Sequence, residues 1–382
     1  MKNEPIRVLH FFKVYYPDSF GGIEQVIFQL CKGGAAHGYQ GEVLALSHDT
    51  HETPIEFSGH LVYQAKLDLQ IASTGFSFSA LNKFRQLADT ADVIHFHFPW
   101  PFMDMIHFLS GHGKPTILTY HSDIIRQTTL LKLYRPLMNR FLSSVDRIVA
   151  TSPNYLATSE VLKNYLNKVV DIPYGLDKTT YPSPSAALLN AWRMKFGSRF
   201  FLFVGMLRYY KGLHILLAAM QGVDFPVVIM GSGPMEAELK SQASGLGLKN
   251  VHFLGALSDE DKVALLTLSY AVVFPSHLRS EAFGISLLEG AMYGKPLISS
   301  EIGTGTTFVN IANETGLVVP PGDPKALRQA MEKLWHHPEL AREMGVRAEK
   351  RYWQLFTAER MAASYAHVYA ELAGRPTPGK TI

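Results

Sequence analysis

Glu281 and Glu289 stand with seven residues between them in RSEAFGISLLEGAMYGKP, Arg279 to Pro296. A helix that only packs has no need of the first carboxylate, or of Gly284 just behind it. The apolar run AVVFPS precedes the stretch, so Glu281 falls in a loop after a strand. A helix is predicted to begin near Phe283 or Gly284. The first N–H groups of a helix lack intrahelical partners and can bind hydroxyls or phosphate oxygens. Glu281 can then accept from neutral hydroxyls at the helix mouth. Glu289, one to two turns in, can take a second pair, such as a ribose diol. The plainer alternative is an acidic turn that complements the helix dipole, with Glu289 exposed.

Other chemistry-bearing residues also follow apolar runs. Arg208 and Lys211 come after FLFVGM and before Gly212. A planar fork of donors and a mobile point charge suit a diphosphate there, although most such pairs are solvated basic loops. Gly21 and Gly22 precede a helix expected near Ile23. Glycines let backbone approach an anion at a helix start, and an ordinary turn explains them equally well. His121 ends PTILTYHSD and is better placed than His95 and His97, which share one face of DVIHFH. A lone strand histidine is more often structural than catalytic. There is no H-E-x-x-H and no cysteine pair, so no metal is expected. Neither G-x-G-x-x-G nor G-x-x-x-x-G-K-[ST] occurs, which weakens a dinucleotide oxidoreductase and a Walker-type phosphate loop.

These residues need a scaffold that ends strands at one edge. RVLHFF, EVLALS, DVIHFH, PTILTYH and RIVATS read as strands in the first half. FLFVGM, PVVIMG, VHFLG, AVVFPS and PLISS repeat the pattern in the second. Helical segments alternate with them; Ile23, Val26, Ile27, Leu30 and Cys31 share one helix face. The expectation is α/β architecture with two doubly wound Rossmann-like domains facing a cleft, where ligands sit beyond the strand carboxyl ends. The linker candidate is PYGLDKTTYPSPSA, Pro173 to Ala186. The predicted domains are 1–175 and 176–355, with the helix in 356–382 packing back on the first.

The chain has 382 residues, 47% apolar and 18% charged, with net charge +3. That is ordinary for a globular protein of two domains and too mildly basic to argue for nucleic acid. One cysteine excludes an intramolecular disulfide and fits a reducing compartment. The N-terminal stretch lacks secretory-signal features, and no apolar run approaches the ~18 residues of a membrane span.

The string E-A-F-G-I-S-L-L-E resembles the E-x7-E motif of the family 4 glycosyltransferases. Gly21-Gly22, TYHSD, PYGLD, RYYKG and ETGLVVPPGDPKAL fall in family order along most of the chain. The resemblance implies a GT-B fold and a retaining, metal-independent transferase. It implies that Gly22, within the donor-binding pair Gly21 and Gly22, contacts the donor diphosphate through backbone, and that Arg208 and Lys211 neutralise it. Glu281 and the backbone of Phe283, Gly284 and Ile285 would hold the transferred sugar. Glu289 would hold the donor ribose, and His121 would sit against the sugar. HLRSEAFGISLLEGAMYGKPLISSEIGTGTTFVN is closest to bacterial O-antigen mannosyltransferases. That implies GDP-mannose as co-substrate, no further cofactor, and a lipid-linked saccharide acceptor. A UDP-sugar donor such as UDP-GlcNAc or UDP-glucose, and a GT-B sugar-nucleotide epimerase, are the alternatives.

The segment Arg126 to Arg147 carries five cations against one acid, interleaved with Leu130, Leu131, Leu133, Leu137, Met138 and Phe141. Such a segment can lie on an anionic membrane, or turn its apolar face into a core. The expected location is cytoplasmic, with attachment to the cytoplasmic face of the inner membrane left open.

Overall fold

The computed structural model describes residues 4–19, 21–71, 74–124 and 128–377. Arg126 lies outside them. The chain divides into two compact units, Met1–Gly175 with Thr357–Ile382, and Leu176–Phe356.

The first unit is built on an eight-stranded sheet. In spatial order the strands are Val169–Asp171, Arg147–Ala150, Thr116–Tyr120, Val93–Phe98, Ile6–Phe11, Tyr39–Ser47, His60–Lys66 and Ile55–Phe57. Neighbours are parallel except the last pair. Five of these strands match apolar runs in the sequence. The others are two short edges, Val169–Asp171 and Ile55–Phe57, and the strand HLVYQAK beside the second of them, which mixes polar and apolar side chains. A separate hairpin joins Leu69–Ile71 to Thr74–Phe76. The order of strands reverses between Val93–Phe98 and Ile6–Phe11.

The helix Gly22–Gly34 buries Val26, Ile27, Leu30 and Cys31. The helix Ala358–Leu372 packs on it so closely that a Cβ on Gly33 would come 2.8 Å from the Ala362 Cβ. Thr357 caps this last helix by accepting from the Arg360 N–H. Its Tyr369 ring meets Tyr39 edge-on at 4.9 Å. Burial pushes the Cys31 thiol pKa up, aided by the Glu42 charge, so the thiol stays protonated.

The second unit holds a six-stranded parallel sheet. Its order is Val251–Gly255, Val227–Met230, Phe201–Val204, Ala271–Phe274, Leu297–Ser300 and Gly316–Val319. Here the order reverses between Phe201–Val204 and Ala271–Phe274. Phe201, Phe203, Val227, Ile229, Val273 and Ile298 are buried in one cluster under the helices. The helix Pro324–His336 contributes Leu327, Ala330, Met331 and Leu334, spaced to face one side. Asp323 caps it by accepting from the Lys325 and Ala326 N–H groups. Among the described residues, no helix is long and apolar enough to cross a membrane.

Candidate active site

In open α/β sheets, ligands bind beyond the strand carboxyl ends, where strand order reverses. In the second unit, the two loops leaving that point are Gly205–Gly212 and Pro275–Gly284. The ammonium of Lys211 in the first loop forms an ion pair with the Glu281 carboxylate in the second. Both side chains are 11% exposed. Ser276 Oγ donates to Glu281 Oε2 at 3.4 Å. The ammonium also lies 4.7 Å from the Phe274 ring centroid and 5.4 Å from that of Tyr210. Desolvation, the largest influence, pulls the Lys211 pKa down, but Glu281 and Tyr210 together outweigh it and the net shift is upward. Lys211 is therefore a fixed cation.

Backbone geometry holds this pair. Gly212 has φ +71°, and a Cβ there would come 2.0 Å from the Pro275 carbonyl oxygen. Only glycine lets the two loops touch. The second loop is braced from behind, where Arg279 Nη1 donates to the Gly303 carbonyl at 2.7 Å and the Gly305 N–H to Ala282 at 2.8 Å. The helix begins at Ile285, after Gly284 with φ +94°, one or two residues later than the sequence suggested. Arg208 is exposed, and its Nε lies 2.9 Å from Met206 Sδ. Its positive charge acts on Lys211.

Glu289 is buried, 5% exposed. Its Oε1 accepts from the Tyr181 hydroxyl at 3.1 Å and pairs with Lys262 Nζ at 3.2 Å. Lys262 also reaches Asp259 at 2.8 Å. The two carboxylates together overcome desolvation and raise the Lys262 pKa. Tyr181 and Lys262 carry no sequence signal as site residues. One sits in the presumed linker, the other in a helix with an acidic first turn. The acids of that turn are already engaged. Asp259 meets Lys262, Glu260 accepts from the Ser185 N–H, and Asp261 accepts from Ser258 and Trp192.

Gly21, Gly22 and His121 belong to the first unit. Gly21 caps the helix Gly22–Gly34. The Glu24 carboxylate folds over it, so that a Cβ on Gly21 would lie 2.5 Å from Glu24 Oε2. Ser19 Oγ donates to Glu24 Oε1 at 2.7 Å. An intrinsic anion thus occupies the place that the sequence reserved for a diphosphate. His121 follows the strand Thr116–Tyr120 and is 3% exposed. Both its ring nitrogens are engaged: Nδ1 with the Tyr174 hydroxyl, and Nε2 with His97 Nδ1 at 2.9 Å.

His10, His95 and His97 form the one group of metal-ligating side chains close enough to share an ion among the described residues. An imidazole ligates in its ring plane. The His95 and His97 rings stack at 4.3 Å with planes 24° apart, so their lone pairs do not converge. Both nitrogens of His95 are also taken, by Tyr369 and Thr119, and both of His97, by His10 and His121. The grouping is a hydrogen-bonded stack and a poor metal cradle.

Residues 20–179 match the family model described as Glycosyltransferase Family 4, and residues 190–351 the model described as Glycosyl transferases group 1. The chain belongs to this glycosyltransferase family. The D-rhamnosyltransferase WbpZ of Pseudomonas aeruginosa is 66% identical to this transferase, covering 92% of this chain and 93% of its own. The O-antigen chain mannosyltransferase C of Escherichia coli is 50% identical, covering 96% and 99%. The sucrose-phosphate synthase of Thermosynechococcus elongatus superposes with a TM-score of 0.81 at 22% identity, covering 97% of this chain and 99% of that one. The fold of the transferase is GT-B, with a Rossmann-like sheet in each unit.

Proposed function

We propose that the enzyme transfers a manno-configured hexose from a GDP-sugar to a lipid-linked saccharide in O-antigen synthesis, with retention and without a metal. The Lys211–Glu281 pair, set where strand order reverses, carries this reading. The bond from the sugar C1 to the diphosphate breaks, and a bond from C1 to an acceptor oxygen forms. The acceptor proton leaves with the diphosphate. Positive charge grows on the sugar and negative charge on the leaving group. Fixed cations stabilise that departing charge without reorganising, and Lys211 and Arg208 supply them. In the first unit, Gly21 and Gly22 would offer backbone to an anion only with Glu24 turned aside. Glu281, released from Lys211 by the incoming anion, accepts from sugar hydroxyls beside the N–H groups of Phe283, Gly284 and Ile285. Glu289 Oε2 takes the ribose, since both protein contacts use Oε1.

The sugar itself rests on the two relatives. Their names give D-rhamnose and mannose. D-rhamnose is mannose without the 6-hydroxyl, so GDP-D-rhamnose is the second reading, favoured by the higher identity. A panel of GDP-mannose, GDP-D-rhamnose, UDP-glucose, UDP-GlcNAc and ADP-glucose, scored by thermal stabilisation, tests the donor. Selective stabilisation by a GDP-sugar is expected; equal or greater stabilisation by the UDP-sugars overturns it. Turnover that needs no acceptor would mark an epimerase.

Contact with the cytoplasmic face of the inner membrane is part of the same proposal. The helix Thr128–Ser144 buries Met138 and Phe141 but leaves Leu133 79% exposed beside the exposed Lys132 and Arg135. Phe78, at 89%, is exposed on the same unit. Arg147 is drawn off by Glu371. Flotation with anionic vesicles should retain the protein, and Lys132→Glu with Arg135→Glu should release it. Binding that ignores these charges refutes the contact.

A further inference from the structure

A cavity of about 440 Å³ lies wholly within the second unit. Ser198, Tyr270 and Pro296 line it just ahead of the strands Phe201–Val204, Ala271–Phe274 and Leu297–Ser300. These three strands are parallel neighbours in the sheet. The cavity therefore sits at their amino ends, whereas Lys211 and Glu281 follow carboxyl ends. It is a separate place on the opposite rim of the same sheet. Two helices close it from the sides. Ala186–Phe196 contributes Arg193, and Pro338–Leu355 contributes Arg342.

The lining carries three cations, Arg193, Lys295 and Arg342, and, among the described residues, no carboxylate. Cations often gather where helices end, because the last carbonyls there are negative. Lys295 does serve such an end: its Nζ donates at 2.8 Å to the Thr267 carbonyl, in the last turn of Asp259–Leu268. Arg193 stands in the last turn of its own helix and donates to the neutral Asn190 Oδ1 at 3.2 Å. Those bonds do not exhaust either side chain. An ammonium has three donors and a guanidinium five. Arg342 does not fit the helix-end account at all. It stands in the second turn of Pro338–Leu355, near the positive end of that helix. Its partner Glu339, at 2.9 Å, is 78% exposed, so water screens the pair.

We propose that this cavity is a second anion site, distinct from the donor site, which takes inorganic phosphate or a small phosphate monoester on Arg193, Lys295 and Arg342. Two guanidinium forks and one mobile point charge suit the oxygens of a phosphate. The volume suits a small ligand. Burial pushes the Lys295 pKa down to about 8, against the pull of Glu349. Glu349 is shared, since it also lies 3.7 Å from Lys178. The charged groups about the cavity are thus Arg193, Arg342, Glu339 and Glu349, with Lys178 beyond the last. An ammonium so poorly compensated gains from an anion beside it, and its pKa rises in return. The site stands whether or not the transferase reading does.

Labelling of amines in the full-length protein at pH 8, read peptide by peptide by mass spectrometry, follows Lys295 directly. About half of its amine is free at that pH, and a pKa raised by about one unit leaves about a tenth. Saturating inorganic phosphate or ribose 5-phosphate should therefore slow labelling of Lys295 about fivefold. Sodium chloride at matched ionic strength should not. Whichever phosphate acts at the lower concentration names the source, and either order supports the site. Arg193→Met with Arg342→Met should abolish the protection, while Lys211→Ala, which strips the donor site of its cation, should leave it intact. Equal slowing by chloride, or none by either phosphate, overturns the proposal from the wild type alone, even if the variants fail to fold. So does protection that survives loss of both arginines, or that disappears in Lys211→Ala.

Discussion

Lys211 and Glu281, 70 residues apart in sequence, neutralise each other across the point where strand order reverses in the second unit. The pair is screened from water on most sides, so its attraction is stronger than that of a surface pair. A diphosphate that binds Lys211 competes with Glu281 for one ammonium. In the proposed reaction that competition would free the Glu281 carboxylate for the sugar.

Lys211→Ala should lower turnover at saturating donor by ~10²-fold, the scale on which loss of one preorganised donor acts. Steady-state kinetics check this. Turnover within threefold of wild type removes Lys211 from the chemistry.

The pair should also couple in stability. Glu281→Gln leaves an ammonium with one carboxylate fewer, so Lys211→Met combined with Glu281→Gln should cost less than the two changes summed. The expected interaction energy is about 1–3 kcal/mol. Chemical unfolding of the four proteins measures it, and strict additivity would mean that the contact contributes nothing.

Glu289→Ala should weaken GDP binding by roughly 10–100-fold, the cost of losing hydrogen bonds to a charged group. Because Lys262 loses its partner in that variant, Lys262→Met is the control. Calorimetry should find nucleotide affinity reduced far less by Lys262→Met than by Glu289→Ala.

The buried histidines set an acid limit. In the unfolded chain His10 and His121 take up protons near pH 6.5; in the folded chain they resist until about pH 3. Between those values the unfolded state binds more protons, so stability is complete above pH 6.5 and falls as pH drops towards 3. The slope near pH 5 should approach ~1.4 kcal/mol per pH unit for each histidine. Denaturant midpoints at pH 7, 6 and 5 test this, and His10→Asn should flatten the slope by one proton.

Much of this was readable from residue order, because parallel strands buried on both faces must be apolar runs. VVIM and AVVF announce themselves, and the helix after Gly284 follows from the glycine and the apolar residues behind it. The edges Val169–Asp171 and Ile55–Phe57 were not readable, since edge strands need no apolar run, and neither was their polar-flecked neighbour His60–Lys66. Glu281 and Lys211 could be named singly, whereas their pairing is a product of topology. Glu289 was expected to be exposed unless functional; it is buried against Tyr181 and Lys262, partners drawn from segments with no motif. His121 was read as presented to a ligand. The structure encloses it between His97, on the neighbouring strand, and Tyr174, beyond the edge strand Val169–Asp171, and only the folded sheet brings those groups together.

The helix Ala358–Leu372 supplies Tyr369 to His95 and Tyr365 to Thr119, yet it leaves the ribosome after all of Leu176–Phe356. The unit whose synthesis starts first is therefore the one completed last. His95 and Thr119 gain their tyrosine partners only when that helix arrives, while the later unit already has every strand it needs.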